Sequence, residues 1–400
     1  MTRSRMHLRP FRCFSLAALA TGFLLASCVG NGPKDRAGTN PVTDSPTKDT
    51  TSSEAVVKYA QGFSIDYHDH YKLVKVLNRL AGKPDTLEYV LVQRGFSAPA
   101  GYPKAQVIHI PVRSIIGMSS MHVALADFVG IPDRITGLGS LQYISSPSVR
   151  RNIKAGKVAE VGLDGNLNNE LILTMRPDIL IVMSNPENVS GGYKTLTDAG
   201  IPVLPDGEWL ESNPLGRTEW VKLMAALVNK EAYVNAKFDS VSHTYDSLAQ
   251  LAARTSVRPH VIVGLPFKGS WFVPAGESYM AQFLRDAGAG YKWYDTKGIG
   301  SISLNFESVA PEALTADYWL NIGSADTKAD ILAKDKRYSS FKAFKTGDVY
   351  NNNKRVNDLG SNDYWESGGV NPQLILADLI RILHPELLPD HQLIYYKQLN

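Results

Sequence analysis

Two histidines set two apart, in Tyr67-His68-Asp69-His70-Tyr71, are the first residues of this 400-residue chain whose spacing suggests chemistry. On a strand their side chains would share one face and could ligate a metal ion. No third ligand accompanies them, so an exposed bend or strand is the better reading and no metal site is expected. The other histidines beyond residue 27 (His109, His122, His243, His260, His384 and His391) are scattered. His109, alternating within an apolar run, is expected to be buried. The sequence contains no G-x-S-x-G, H-E-x-x-H, P-loop or G-x-G-x-x-G signature, and Gly137-Leu138-Gly139 lacks the sequel of a dinucleotide fingerprint. Ser, His and Asp are all present, but no spacing singles out three of them.

Cys28 carries a different chemistry. Leu25-Ala26-Ser27-Cys28 closes a segment that opens with a cationic head (Arg3, Arg5, Arg9, Arg12) and continues through an apolar run, Phe14 to Ala26. That run is shorter than a bilayer-spanning helix needs, the pattern of a cleaved export signal over residues 1–27. The small residues before Cys28 resemble a lipobox, in which the cysteine is acylated and begins the mature protein. Cys13 lies in the discarded segment, which leaves no disulfide to form. Losing residues 1–27 removes four arginines and no acid, leaving 38 basic against 39 acidic residues, a formal charge of −1. Such a balance, without a basic tract, gives no electrostatic case for nucleic acid. Residues 28–56, poor in apolar side chains, cannot offset their ordering entropy and read as a tether to the lipid.

The remaining length suits two lobes. Strand-like runs at Phe63 to Tyr67, Tyr71 to Leu77 and Thr86 to Gln93 predict a small β-hairpin element added to an N-terminal lobe, 57–213. Val107 to Val112, Ile135 to Leu138, Ile179 to Met183 and Pro202 to Leu204 then alternate with helical patterns. Ser119 or Ser120 can cap a helix that stops at Gly130. Residues 214–256 carry apolar side chains at helical spacing with no proline after Pro214 and no glycine after Gly216, a connecting helix region long enough to cross between lobes. A second alternating set fills 257–400: strands at His260 to Leu265, Tyr318 to Ile322 and Asp348 to Tyr350, helices near Tyr279 to Asp286, Glu307 to Leu314 and Pro372 to Leu383. The fold class is therefore α/β, with mostly parallel sheets covered on both faces.

Three phrases sharpen this plan. Asn168-Asn169-Glu170-Leu171 runs through Met175-Arg176-Pro177-Asp178 into Ile179-Leu180-Ile181. Leu304-Asn305-Phe306-Glu307-Ser308-Val309 is followed by Ala316-Asp317-Tyr318-Trp319-Leu320. Asp363-Tyr364-Trp365-Glu366 precedes Pro372-Gln373-Leu374. Over residues 105 to 385 the chain resembles the periplasmic substrate-binding proteins of cobalamin and ferric-siderophore ABC importers, and the resemblance rests on the order and spacing of these phrases. It implies two Rossmann-like lobes joined by a long rigid α-helix, no catalysis and no cofactor. The expected cargo is a small-molecule metal chelate, an iron complex (ferric siderophore or haem) or alternatively a corrinoid, cobalamin. It further implies a monomer held by its lipid at the periplasmic membrane, with Glu170 and Glu307, one per lobe, docking on arginines of the ABC permease. An α/β enzyme acting on a chelate and a structural lipoprotein are the less favoured alternatives.

In open α/β sheets a ligand sits beyond the carboxyl ends of the strands. The loops expected there hold Arg113, Ser114, Ser140, Tyr143, Ser184, Asn185 and Trp209 in the first lobe, then Phe267, Lys268, Trp271, Arg355, Tyr364 and Trp365 in the second. Tyr143 stands where the family offers a pocket tyrosine, and Tyr364-Trp365 where it offers stacked aromatics, stiff apolar faces suited to a bulky ligand. Arg113, Lys268 and Arg355 could counter an anionic chelate. Ile115-Ile116-Gly117 reads as an insertion between the first strand and its helix.

Overall fold

The computed structural model describes residues 54–78, 85–184 and 192–400, so the export signal, Cys28, Asn185 and most of the expected tether lie outside the described residues. The described residues all belong to one compact unit. It opens with a four-stranded sheet, β1 (Phe63–Tyr67), β2 (Tyr71–Asn78), β3 (Asp85–Gln93) and β4 (Gln106–Ile110), antiparallel except for the β3–β4 pair. Val107 to Val112 was expected to be the first strand of the lobe; instead its strand portion, β4, completes this added sheet. Pro111, which has no N–H to donate, follows β4 directly. His109 is exposed, a correction, because β4 faces solvent with its odd-numbered residues while Ile108 and Ile110 turn inward.

The lobe's own sheet begins at β5 (Ile115–Gly117), the tripeptide that reads as an insertion. Strands β6 (Ile135–Leu138), β7 (Ala159–Glu160), β8 (Ile179–Met183) and β9 (Val203–Asp206) join it in the all-parallel order β7-β6-β5-β8-β9. Between them lie α1 (Ser120–Val129), α2 (Pro147–Lys154), α3 (Asn169–Met175) and α4 (Lys194–Asp198). Ser119 caps α1 through a hydrogen bond from Met121 N, and Gly130 ends it at φ 72°, a left-handed position that glycine tolerates. Ile115, Ile179 and Ile181 point to one face, Ile116, Leu180 and Val182 to the other, and each face has its own core. Burial of both faces is why these strands read as continuous apolar runs rather than alternating ones. The added sheet abuts β9: Gln106 uses its side-chain amide like a backbone, accepting from Val203 N (2.8 Å) and donating to Val203 O (3.3 Å).

Helices α5 (Pro214–Glu219) and α6 (Val221–Ala226) lead into α7 (Glu231–Ala253), 23 residues without proline or glycine, about 35 Å long. Its Val234, Phe238 and Val241 belong to the first-lobe core, and Tyr245 and Ala252 to the second. One helical stripe thus serves both lobes. The segment that follows the expected tether is held against α5 and the turn before it. Glu219 accepts the N–H groups of Lys58 (2.9 Å), Tyr59 (2.6 Å) and Ala60 (2.8 Å), and Glu211 those of Gln61 (3.0 Å) and Gly62 (2.8 Å). Ala55 is buried and Val56 O accepts from Lys222, so order begins before residue 57, where the sequence reading put it.

The second lobe carries β10 (Val261–Val263), β13 (Tyr318–Leu320), β14 (Val349–Asn351) and an antiparallel edge strand, β15 (Lys397–Gln398), with a separate β11–β12 hairpin (Trp271–Pro274, Ser301–Leu304). Its helices are α8 (Tyr279–Asp286), α9 (Phe306–Ala313), α10 (Lys328–Lys334), α11 (Lys342–Thr346) and α12 (Pro372–Leu383). No helix among the described residues is long and apolar enough to cross a membrane.

Candidate binding cleft

The strand order of the first lobe reverses between β5 and β8, the switch point beyond whose carboxyl strand ends an open α/β sheet takes its ligand. His122, on α1, lies under this switch point. Its Nδ1 accepts the N–H groups of Met118 (3.0 Å) and Ser119 (3.2 Å), so a neutral ring carries its proton on Nε2, 3.4 Å from Asp206 Oδ2 at the end of β9. Asp206 Oδ1 accepts Glu208 N (3.0 Å), and Glu208 receives both Nε and an NH2 group of Arg217 in a fork. Burial pushes the Glu208 carboxyl up, with Arg217 opposing; burial alone would lower Arg217, but Glu208 raises it further. The fork gives the buried guanidinium of Arg217 the carboxyl partner without which it would be buried unpaired. Arg217 also lies 4.7 Å from the ring centroid of Tyr279, the first residue of α8, and so spans the seam between lobes.

A second meeting of the lobes involves the loops after β6 and β14. Gln142 Nε2 donates to Leu359 O (3.2 Å), Asn357 Nδ2 to Ile144 O (2.9 Å), and Ser145 Oγ lies 2.9 Å from Ser361 Oγ. Glu366 accepts the N–H groups of Ser145 (2.7 Å) and Ser146 (2.6 Å) at the start of α2. Burial pushes its carboxyl up to about 7 against those two hydrogen bonds, and Asp363 and Asp127 add to the rise. Beside it a cavity of about 230 Å³ is lined by residues of both lobes and by Lys237 of α7.

The sequence-predicted residues divide. Ser140 is half-buried in the loop after β6, Tyr143 is 53% exposed on that loop, and Lys268 and Arg355 are exposed on second-lobe loops. Trp365 is 49% exposed. Arg355 pairs with Asp363 at 2.8 Å. Trp209 is half-buried, and its indole N–H, buried, has no hydrogen-bond partner among the described residues.

Three expectations need correction. Arg113 lies in the short link between β4 of the added sheet and β5, so it sits at the amino end of the lobe's own sheet, away from the cleft; its N–H donates to Asp178 Oδ2 (2.5 Å) just before β8. Trp271 is fully buried, packed against Trp319, Tyr338, Phe306 and Phe341, with its indole N–H on Val263 O (2.9 Å). Tyr364 is 3% exposed and edge-on to Tyr395 and Tyr396, so it supports the loop from beneath. His68 and His70 occupy the turn between β1 and β2, stacked on Tyr71 and Phe96 respectively, and no group of three potential metal ligands forms among the described residues.

His122, Asp206, Glu208, Arg217 and Glu366 escaped the sequence reading. Asp206 and Glu208 directly precede Trp209 and could have been found from the strand end; Arg217 lies in what reads only as a connecting helix.

Glu170 and Glu307 hold matching places, each exposed and second in its helix, α3 or α9. Both helices are capped by asparagine, with Asn168 accepting Leu171 N (3.0 Å) and Asn305 accepting Ser308 N (2.8 Å). The paired phrases of the sequence therefore fold into the same local structure in both lobes.

Comparison with known proteins bears on the whole arrangement. An uncharacterised lipoprotein of Methanocaldococcus jannaschii is 26% identical over 414 residues, covering 97% of this chain and 95% of the relative. Among solved structures, a possible iron-binding periplasmic solute-binding protein from Staphylococcus epidermidis superposes with a TM-score of 0.53 at 18% identity, over 68% of this chain and 99% of that one. The periplasmic haem-binding protein of Vibrio cholerae gives 0.51 at 17% identity, over 66% and 98%. These likenesses establish the two-lobe binding-protein fold. The periplasmic binding protein profile matches residues 119–356, more than half of the chain, and the chain belongs to that family.

Proposed function

We propose that this protein is the lipid-anchored receptor of an ABC importer, capturing an iron complex (a ferric siderophore or haem) and delivering it to the permease. The observation that carries this reading is the meeting of the two lobes at the carboxyl strand ends, with a cavity lined by both, exposed aromatic faces at Tyr143 and Trp365, and on Trp209 an indole N–H without a partner among the described residues. Solved relatives of the same fold described as iron- and haem-binding support the choice of cargo. The ligand is held and released chemically unchanged, and Cys28 supplies the anchor.

Calorimetric titration of the protein lacking residues 1–28 tests this directly. Tight one-to-one binding of haem or a ferric siderophore is expected; binding of cobalamin alone would reassign the cargo, and binding of none would overturn the reading. Glu170 and Glu307 are the docking points in this scheme. Charge reversal at both (Glu170→Arg with Glu307→Arg) is expected to abolish uptake into cells while leaving ligand affinity within about twofold, because rim charges govern association between partners more than a distant pocket. A matching loss of ligand affinity would refute the docking role.

A further inference from the structure

The cleft of a chelate receptor has to match the charge of its cargo as well as its shape, and here the guanidinium groups at the lobe seam are already occupied. Arg217, the most buried of them, is gripped by Glu208, and Arg355 is paired with Asp363. Asp206 adds a carboxylate at the carboxyl end of β9, and the interlobe loop carries the carboxyl group of Glu366 rather than a further cation. Lys268 is exposed, its ammonium 5.3 Å from the ring of its own neighbour Phe267.

From this balance we infer that the cleft selects an electroneutral or cationic chelate over an anionic one, with Glu208 as the specificity-determining residue because it cancels Arg217. The inference rests on the chelate-receptor reading above and names the class of chelate. A polyanionic complex entering the seam would meet the Asp206 carboxylate and a Glu208–Arg217 pair with no net charge to offer it, in a largely desolvated site where like charges repel more strongly than in water. It would also gain no unpaired guanidinium in return. A neutral or positively charged complex pays neither penalty, and the half-buried Trp209 and exposed Trp365 offer it ring faces, which favour cations.

The test uses three ferric complexes as probes, a trianionic tris-catecholate, a neutral tris-hydroxamate and a tris-hydroxamate bearing a pendant ammonium, titrated into the full mature chain at low and high salt. The neutral or cationic complex is expected to bind at least about tenfold more tightly than the trianion, with the gap narrowing as salt screens the carboxylates. Tighter or equal binding of the trianion would overturn the charge selection while leaving the receptor reading intact; failure of all three, with haem also unbound, would overturn the receptor reading and the inference with it. Glu208→Gln is expected to shift the preference ratio towards the trianion by about tenfold or more, and an unchanged ratio in a folded variant would remove Glu208 from the role. Ranking the three probes on the unsubstituted protein needs no variant, so the charge selection is decided even if Glu208→Gln does not fold.

Discussion

In the first lobe the sheet is packed by Ile115, Ile116, Ile179, Leu180, Ile181 and Val182, whereas in the second Trp271, Trp319, Phe306, Tyr338 and Phe341 cluster with ring centroids 5.2 to 6.4 Å apart. The same residue type therefore means different things on the two sides of α7. Tyr143 and Trp209 stand outside an aliphatic core in the first lobe, available to a ligand. A tryptophan in the second lobe is as apt to be a core residue, and only its exposure separates Trp365 from Trp271. Both lobes nevertheless carry an asparagine-capped helix with a glutamate in its first turn, so these two surfaces resemble each other more than the cores do.

Removing the ring at the centre of the second lobe is the largest perturbation that tests this contrast. Trp271→Ala is expected to cost about 3–5 kcal/mol, through lost transfer energy and the cavity left among four rings. The first-lobe counterpart, Leu180→Ala, should cost about 2–5 kcal/mol by the same mechanism at a smaller side chain. Urea unfolding of both variants provides the comparison; a Trp271→Ala variant as stable as the parent, with ligand binding lost, would return Trp271 to the cleft.

The seam between the lobes responds to pH. Glu366, pushed up to about 7 from an ordinary 4.5 by burial, holds its proton more tightly in the folded chain than in the unfolded one. Its contribution to stability is therefore fully present below about pH 4.5 and lost as pH rises through 7, a change of order 3 kcal/mol. Glu366→Gln should flatten this part of the stability profile between pH 5 and 8. A profile that keeps the same slope in the variant would assign the dependence to another group, Asp127 being the nearest raised carboxyl.

How far the sequence carried these conclusions depends on the length scale of each signal. The 23-residue α7, the strand Ile179–Met183 and the helix Pro372–Leu383 were legible because their periodicity persists over several turns or over a fully buried run. β5 was not, because three buried residues between Pro111 and Met118 give no period, and that miss carried Arg113 to the wrong end of the sheet. Trp271 gave no signal either: Trp271-Phe272-Val273-Pro274 is apolar throughout, so nothing in the letters separates buried Trp271 from exposed Phe272. The Glu208–Arg217 pair left no trace, since a strand end and a helix nine residues on are brought together only by the fold. Matching phrases around Glu170 and Glu307 were legible as phrases, and their shared capping geometry is what those letters encode.

The smallest expected effect falls on Trp209, where aromatic face and polar edge can be separated. Among the described residues its buried indole N–H has no partner, a state that ordinarily costs about 1–3 kcal/mol. Trp209→Phe keeps a ring and removes that donor. If the N–H is merely an unsatisfied group of the fold, the variant gains stability and binds ligand as before. If it is held for the cargo, the variant gains the same stability but loses about three- to tenfold in affinity, the worth of one hydrogen bond to a neutral acceptor. The second outcome is expected, because Trp209 follows Glu208 at the carboxyl end of β9, where the first lobe faces the cleft, and the aliphatic core behind it requires no indole. Paired measurement of unfolding and binding separates the two, and an affinity unchanged by the substitution would move Trp209 from the cleft to the wall behind it.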